Sequence, residues 1–190
     1  MKFITVFKTV YKNIFIAGIL LFCLCSASAQ VLYTPADAGS KVHFTIKNFG
    51  IKTAGEFTGL QGKIYFDPAH INAASFDVSV AASSINTHNG SRDNHLKKEE
   101  YFDVAKYPTL HFKSTKITLP AKEGRYLVAG NLTIKGITKA VAFYFTAAAK
   151  EGGYFFEGAF EINRRDFKVG GGSLVLQDNL KINLTVMAKK

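Results

Sequence analysis

The chain has no tryptophan and only two cysteines among its 190 residues. Both cysteines, Cys23 and Cys25, lie in an N-terminal apolar run, so a chain cut after Ala29 carries neither. That excludes disulfides, thiol catalysis, redox exchange and cysteine-based zinc sites from the remainder. An exported domain without cross-links must be held by its core, and one of this size buries about two-thirds of its unfolded surface. One domain over residues 30–190 is expected. Catalytic signatures are missing too: there is no G-x-S-x-G elbow, no P-loop and no G-x-G-x-x-G after a strand. The five histidines, at 43, 70, 88, 95 and 111, show none of the H-x-H, H-x-x-x-H or H-E-x-x-H spacings. We therefore expect a non-enzyme and assign no catalytic residue, metal or cofactor.

Long apolar runs are scarce as well. Ile14 to Cys25 makes a run of about a dozen residues, short of the roughly 20 that a bilayer-spanning helix needs. Lys2, Lys8 and Lys12 precede it without an acidic residue, and Ala27-Ser28-Ala29 follows as a small-residue cleavage site. Residues 1–29 therefore read as a signal peptide, and the rest as periplasmic or secreted. Neither cysteine follows the small residue that a lipoprotein signal requires. Without the three leader lysines the net charge falls from +10 to +7. The excess is dispersed along the chain rather than gathered into a stripe, which argues against nucleic acid and is compatible with contact to an anionic membrane surface.

What the chain does have is alternation. In KVHFTIKNF, Val42, Phe44 and Ile46 share one face, with Lys41, His43, Thr45 and Lys47 on the other, the pattern of a half-buried strand. GKIYFDP and SFDVSVAASSI continue it, and further strands are expected at 108–119, 125–135, 137–149, 153–163 and 179–188. Glycine-containing turns separate them. The fold class is all-β: eight or nine strands and one short helix, forming a single antiparallel barrel of about eight strands. That helix is expected over 91–103, with Ser91 as its cap and Asp93 in its first turn, stopping before Tyr107-Pro108.

The helix opens the stretch RDNHLKKEEYFDVAKYPTLHF, Arg92 to Phe112. Together with SINT at 84–87, HFKST at 111–115, GNLTIKGITK at 130–139 and INRRDF at 162–167, it resembles the YceI-like family of periplasmic polyisoprenoid-binding proteins. The resemblance runs from about Val31 to Met187 and implies a lipocalin-like barrel around an isoprenoid chain. Lys168 departs from the pattern, since a glycine is expected after Arg-Asp-Phe.

An eight-stranded barrel is near the size at which the interior either fills with side chains or holds one small ligand. The chain beyond the leader has 13 phenylalanines. Aromatic residues in strands are equally the mark of a plain core, but the resemblance points to a pocket, and we take Phe44, Phe57, Phe66, Phe112, Phe143, Phe145 and Phe156 as its candidate lining. Arg92, Asp93 and His95 are the candidates for a headgroup-binding mouth, arginine being suited to a bidentate grip on phosphate. The competing role for Arg92 and Asp93 is structural, pairing with Arg164, Arg165 or Asp166 to pin the helix. An isoprene unit offers about 3–4 kcal/mol of burial, against about 1.5–3 kcal/mol for a charge-assisted hydrogen bond to a headgroup. The tail should therefore supply affinity and the mouth selectivity. Two other functions fit the same residues: a filled barrel acting as an envelope interaction or stress protein, and an enzyme that modifies a lipid. Ligand identity and oligomeric state are left open.

Overall fold

The computed structural model describes residues 31–119 and 124–190; the leader expected over 1–29 lies outside them. Nine strands run in chain order: β1 Leu32–Asn48, β2 Ile51–Phe57, β3 Gln61–Tyr65, β4 Ser75–Ala81, β5 Thr109–Thr118, β6 Tyr126–Ile134, β7 Ile137–Lys150, β8 Gly153–Asn163 and β9 Asn179–Lys189. Strands β3 to β9 pair antiparallel with their chain neighbours, and β1 closes the sheet by pairing with both β3 and β9. The wall is thus an eight-stranded antiparallel barrel, as the alternation requires.

Strand β2 is the ninth. It hairpins onto the second half of β1, from Val42↔Phe57 to Asn48↔Ile51, beyond the two residues of β1 that reach β3. Its signal in IKTAGEF is weak because Gly55, which has no side chain, sits where an inward apolar residue would otherwise mark the alternation. The ring of Phe44 takes that space: a Cβ built on Gly55 would lie 2.4 Å from Phe44 Cζ. Strand β1 serves three partners because it bends. Its register to β9 slips between Ala36 and Lys41, and Asp37 in that bulge accepts from the backbone N–H groups of Gly59 (2.9 Å) and Leu60 (2.8 Å), anchoring the turn from β2 to β3.

The two ends of the barrel differ. One is packed solid by Tyr33, Ile64, Phe66, Phe145 and Phe156, with Phe66 making edge contacts to Tyr126, Tyr154 and Phe156 at centroid distances of 5.0–5.2 Å. The other is covered by helix α1, Gly90–Leu96, and by the segment after it. Helix α1 is shorter than the expected 91–103. Its cap is Asn89 rather than Ser91, with the Asn89 side chain accepting from the Arg92 N–H at 3.0 Å. It ends early because Phe102 N–H turns back to the Leu96 carbonyl (3.0 Å) and Asp103, at φ 48°, donates to Lys98 (2.9 Å). That closure turns Tyr101 and Phe102 inward, which a continued helix would not do.

Candidate functional site

Beneath the helix lie two apolar chambers in line along the barrel. The outer one, about 280 Å³, reaches from half-buried Asn48, Thr53 and Leu176 to Leu96, Tyr101 and Phe102. The inner one, about 130 Å³, is bounded by Val78, Phe112, Phe143, Phe160 and Leu184. Phe44, Phe57, Leu110, Ile134, Ile162 and Ile182 line both, so the chambers adjoin and share these walls at their junction. The Phe44 and Phe57 rings stand there, with centroids 5.8 Å apart. Alternation along each strand aims these residues inward. Their position near the helix end, or at mid-barrel, keeps them clear of the aromatic plug.

Four of the seven expected lining residues therefore face the cavity. Phe44 and Phe57 line both chambers, and Phe112 and Phe143 line the inner one, where their centroids are 5.7 Å apart. Phe66, Phe145 and Phe156 do not. They are buried in the plug, because the shear of the barrel carries their inward-facing positions to its far end. The aliphatic share of the lining, Leu110, Ile134, Ile162 and Ile182, was legible as inward alternation but is passed over when aromatics alone are chosen.

At the mouth, Arg92 and His95 both border the outer chamber. Arg92 does not pair with the 164–166 segment. Its Nε donates to Thr87 Oγ1 at 2.7 Å and a terminal nitrogen donates to the Thr87 carbonyl at 2.8 Å. Asp93 accepts from the same residue, from the backbone N–H at 2.9 Å and from the hydroxyl at 2.5 Å. Desolvation works against ionisation of Asp93, but the Thr87 hydrogen bonds together with the charges of Arg92 and Lys97 outweigh it and hold the carboxyl below the ordinary aspartate value. Asp93 thus serves the fold rather than the chamber, clamping the SINT segment, 84–87, to α1. Arg92 uses two of its five donors on Thr87, and among the described residues no partner takes the other three. His95 stacks edge-on against Tyr101, with centroids 5.0 Å apart, and lies 3.9 Å from Glu100.

Arg164 is the residue that the sequence reasoning undervalued. Only 5% exposed, it lines the outer chamber and donates to the carbonyls of Gln177 (3.1 Å), Val169 (2.9 Å) and Gly171 (2.9 Å) and to Asp178 (2.7 Å). It ties the loop after the 3-10 turn Arg164–Phe167 to the start of β9. Its signal was present in INRRDF, but nothing local told which arginine of the pair turns inward. Lys168 follows at φ 52°, ψ 35°, the left-handed conformation for which a glycine is suited. Among the described residues no carboxylate lines either chamber, and no group of three or more His, Cys, Asp or Glu side chains converges as a metal site.

Comparison with known proteins places this geometry. A YceI-like domain matches residues 33–188. A UPF0312 protein of Shewanella denitrificans is 27% identical over 177 residues, spanning 90% of this chain and 92% of its own. Among solved structures, Burkholderia cenocepacia BcnA superposes with a TM-score of 0.76 at 28% identity, covering 82% of this chain and 99% of BcnA. A polyisoprenoid binding domain from Saccharophagus degradans superposes with a TM-score of 0.65 at 15% identity, covering 84% and 98%, and shares the fold. With its barrel, its lid motif and nearly all of its described length accounted for, the chain belongs to the YceI-like family.

Proposed function

We propose that the protein is an exported, non-catalytic carrier that holds the apolar chain of an isoprenoid or similar amphiphile inside the barrel. The observation that carries the proposal is the pair of adjoining apolar chambers between the helix and the aromatic plug. An extended tail entering at Asn48 and Leu176 passes Phe44 and Phe57 and ends against Phe112, Phe143 and Phe160. The polyisoprenoid binding of the Saccharophagus degradans domain supports an isoprenoid as the tail. Arg92 and His95 beside the outer chamber are suited to an anionic headgroup, and the leader expected over 1–29 supports an envelope location, where the dispersed positive charge suits contact with anionic membrane.

Two substitutions test this. Phe112→Asp places a charge in the inner chamber and should abolish capture of a polyprenyl lipid. Arg92→Ala should weaken capture by about tenfold, the value of one charge-assisted contact. Ile182→Phe, apolar and bulkier at the chamber junction, should also block uptake and guards against simple unfolding of the charged variant. Equal lipid retention by folded Phe112→Asp, Ile182→Phe and Arg92→Ala proteins, checked by circular dichroism, contradicts a tail-held ligand.

A further inference from the structure

The tip of the β1–β2 hairpin is built against the preferences of its own turn. Phe49 and Gly50 form a two-residue connection with φ 51° and φ 75°, the positive angles of a type I′ turn, whose first position favours asparagine or glycine. A phenylalanine there is sterically costly, and its side chain gains no burial in return, since Phe49 is 72% exposed. Ile51, directly after the turn, is 71% exposed, and Leu174, across from the tip, is fully exposed. The two segments are joined: Phe49 N–H donates to the Val175 carbonyl at 2.9 Å, and Gln177 N–H donates to the Lys47 carbonyl at 2.9 Å. Asn48, Thr53 and Leu176 of these same segments border the outer chamber. An apolar ridge thus stands beside the outer chamber.

Charge decides what covers it. Lys47 and Lys52 are exposed and face each other across the hairpin, Arg165 lies against Gly172 at the base of the opposite loop, and neither 46–53 nor 171–177 contains an acidic residue. Aromatic and aliphatic tips beside unopposed cations suit an interface of acyl chains under anionic headgroups.

We infer that Phe49, Ile51 and Leu174, flanked by Lys47 and Lys52, form a membrane-docking rim that seats the open end of the barrel on an anionic bilayer, so that a lipid tail can pass between bilayer and cavity without crossing water. The choice of a bilayer as partner rests on the carrier reading. The ridge itself does not.

The test uses residues 31–190, because BcnA, matched over 99% of its length, shows that the barrel unit folds as a complete chain. It also removes the apolar leader from the assay. Vesicles of equal phosphatidylglycerol and phosphatidylcholine should sediment the protein, pure phosphatidylcholine should do so less, and high salt should release it. Phe49→Asn combined with Leu174→Ser should lower vesicle affinity by about tenfold or more. Its melting temperature should hold or rise, since asparagine suits the turn. Uptake of lipid presented in detergent should be unchanged, neither residue lining the cavity, whereas uptake from vesicles should slow. Vesicle binding that is absent from the parent, or equal in the double variant, overturns the rim. So does a parent dimer that the double variant loses, which would assign the ridge to a second copy. Vesicle binding that follows these expectations in a protein whose cavity never takes lipid would leave the rim standing and remove the carrier reading.

Discussion

At the scale of single residues, the cavity is shaped by what is left out as much as by what is present. Gly55 lies under the Phe44 ring, where a Cβ would sit 2.4 Å from Cζ and 2.9 Å from the Thr87 side chain. Since the ring is the movable partner, Gly55→Ala should swing Phe44 into the junction of the two chambers. The expected outcome is a modest loss of stability, about 1–2 kcal/mol, with a disproportionate loss of lipid uptake. Denaturant melts and lipid titration on the same variant check it, and full uptake would show that the junction is not a constriction. This also marks the limit of reading residues from the sequence. Inward-facing phenylalanines were identifiable by alternation, but Phe66, Phe145 and Phe156 share that alternation with Phe44, Phe57, Phe112 and Phe143 and differ only in height along the barrel axis. Height depends on shear and on the slip between Ala36 and Lys41, and neither leaves a local signature.

At the scale of elements, the strands from β3 onward follow the alternation closely, whereas the connections follow hydrogen bonds made over distance. Helix α1 ends at Leu96 because Phe102 returns to it, and the lid after it is tied down by Gly170 N–H to the Glu100 carbonyl (3.0 Å) and by Lys135 Nζ to the Glu100 and Lys168 carbonyls (3.2 and 3.1 Å). Charge in this stretch suggested pairing between Arg92-Asp93 and the 164–166 segment. Instead each group bonds within its own neighbourhood, Arg92 and Asp93 to Thr87, and Arg164 to Asp178 and three carbonyls. The 3-10 turn closes on Lys168 in the left-handed region, using only the backbone carbonyl of that residue for the Lys135 contact. Lys168→Gly should therefore relieve strain without breaking the contact and raise stability by about 0.5–1 kcal/mol. A fall in the melting temperature would show that the lysine side chain contributes more to the loop than its backbone conformation costs.

At the scale of the whole molecule, a barrel whose interior is partly empty depends on its wall and its ties. Several ties are carboxylates. A hydrogen bond from His111 at 2.7 Å holds the Asp77 carboxyl below its ordinary value against the opposing effect of burial, with Lys113 at 3.2 Å adding to it. Asp93 is lowered in the same direction. A carboxylate whose folded pKa lies below its unfolded one, about 3.9, contributes stability that is present above that value and is lost as pH falls through the folded one. The melting temperature should therefore hold from pH 7 to about 5 and fall below about 4. Asp77→Asn should flatten that acid limb, and an acid limb of unchanged steepness in Asp77→Asn would remove this aspartate from the account.

The proposed carrier role stands or falls on whether the space between the lid and the aromatic plug holds a lipid tail. Native mass spectrometry of the protein purified from its own envelope, followed by denaturation and identification of the released mass, tests it most directly. One isoprenoid or similar amphiphile per barrel is the expected result. A lipid-free mass under gentle conditions, with no uptake of added polyprenyl lipid, would contradict it.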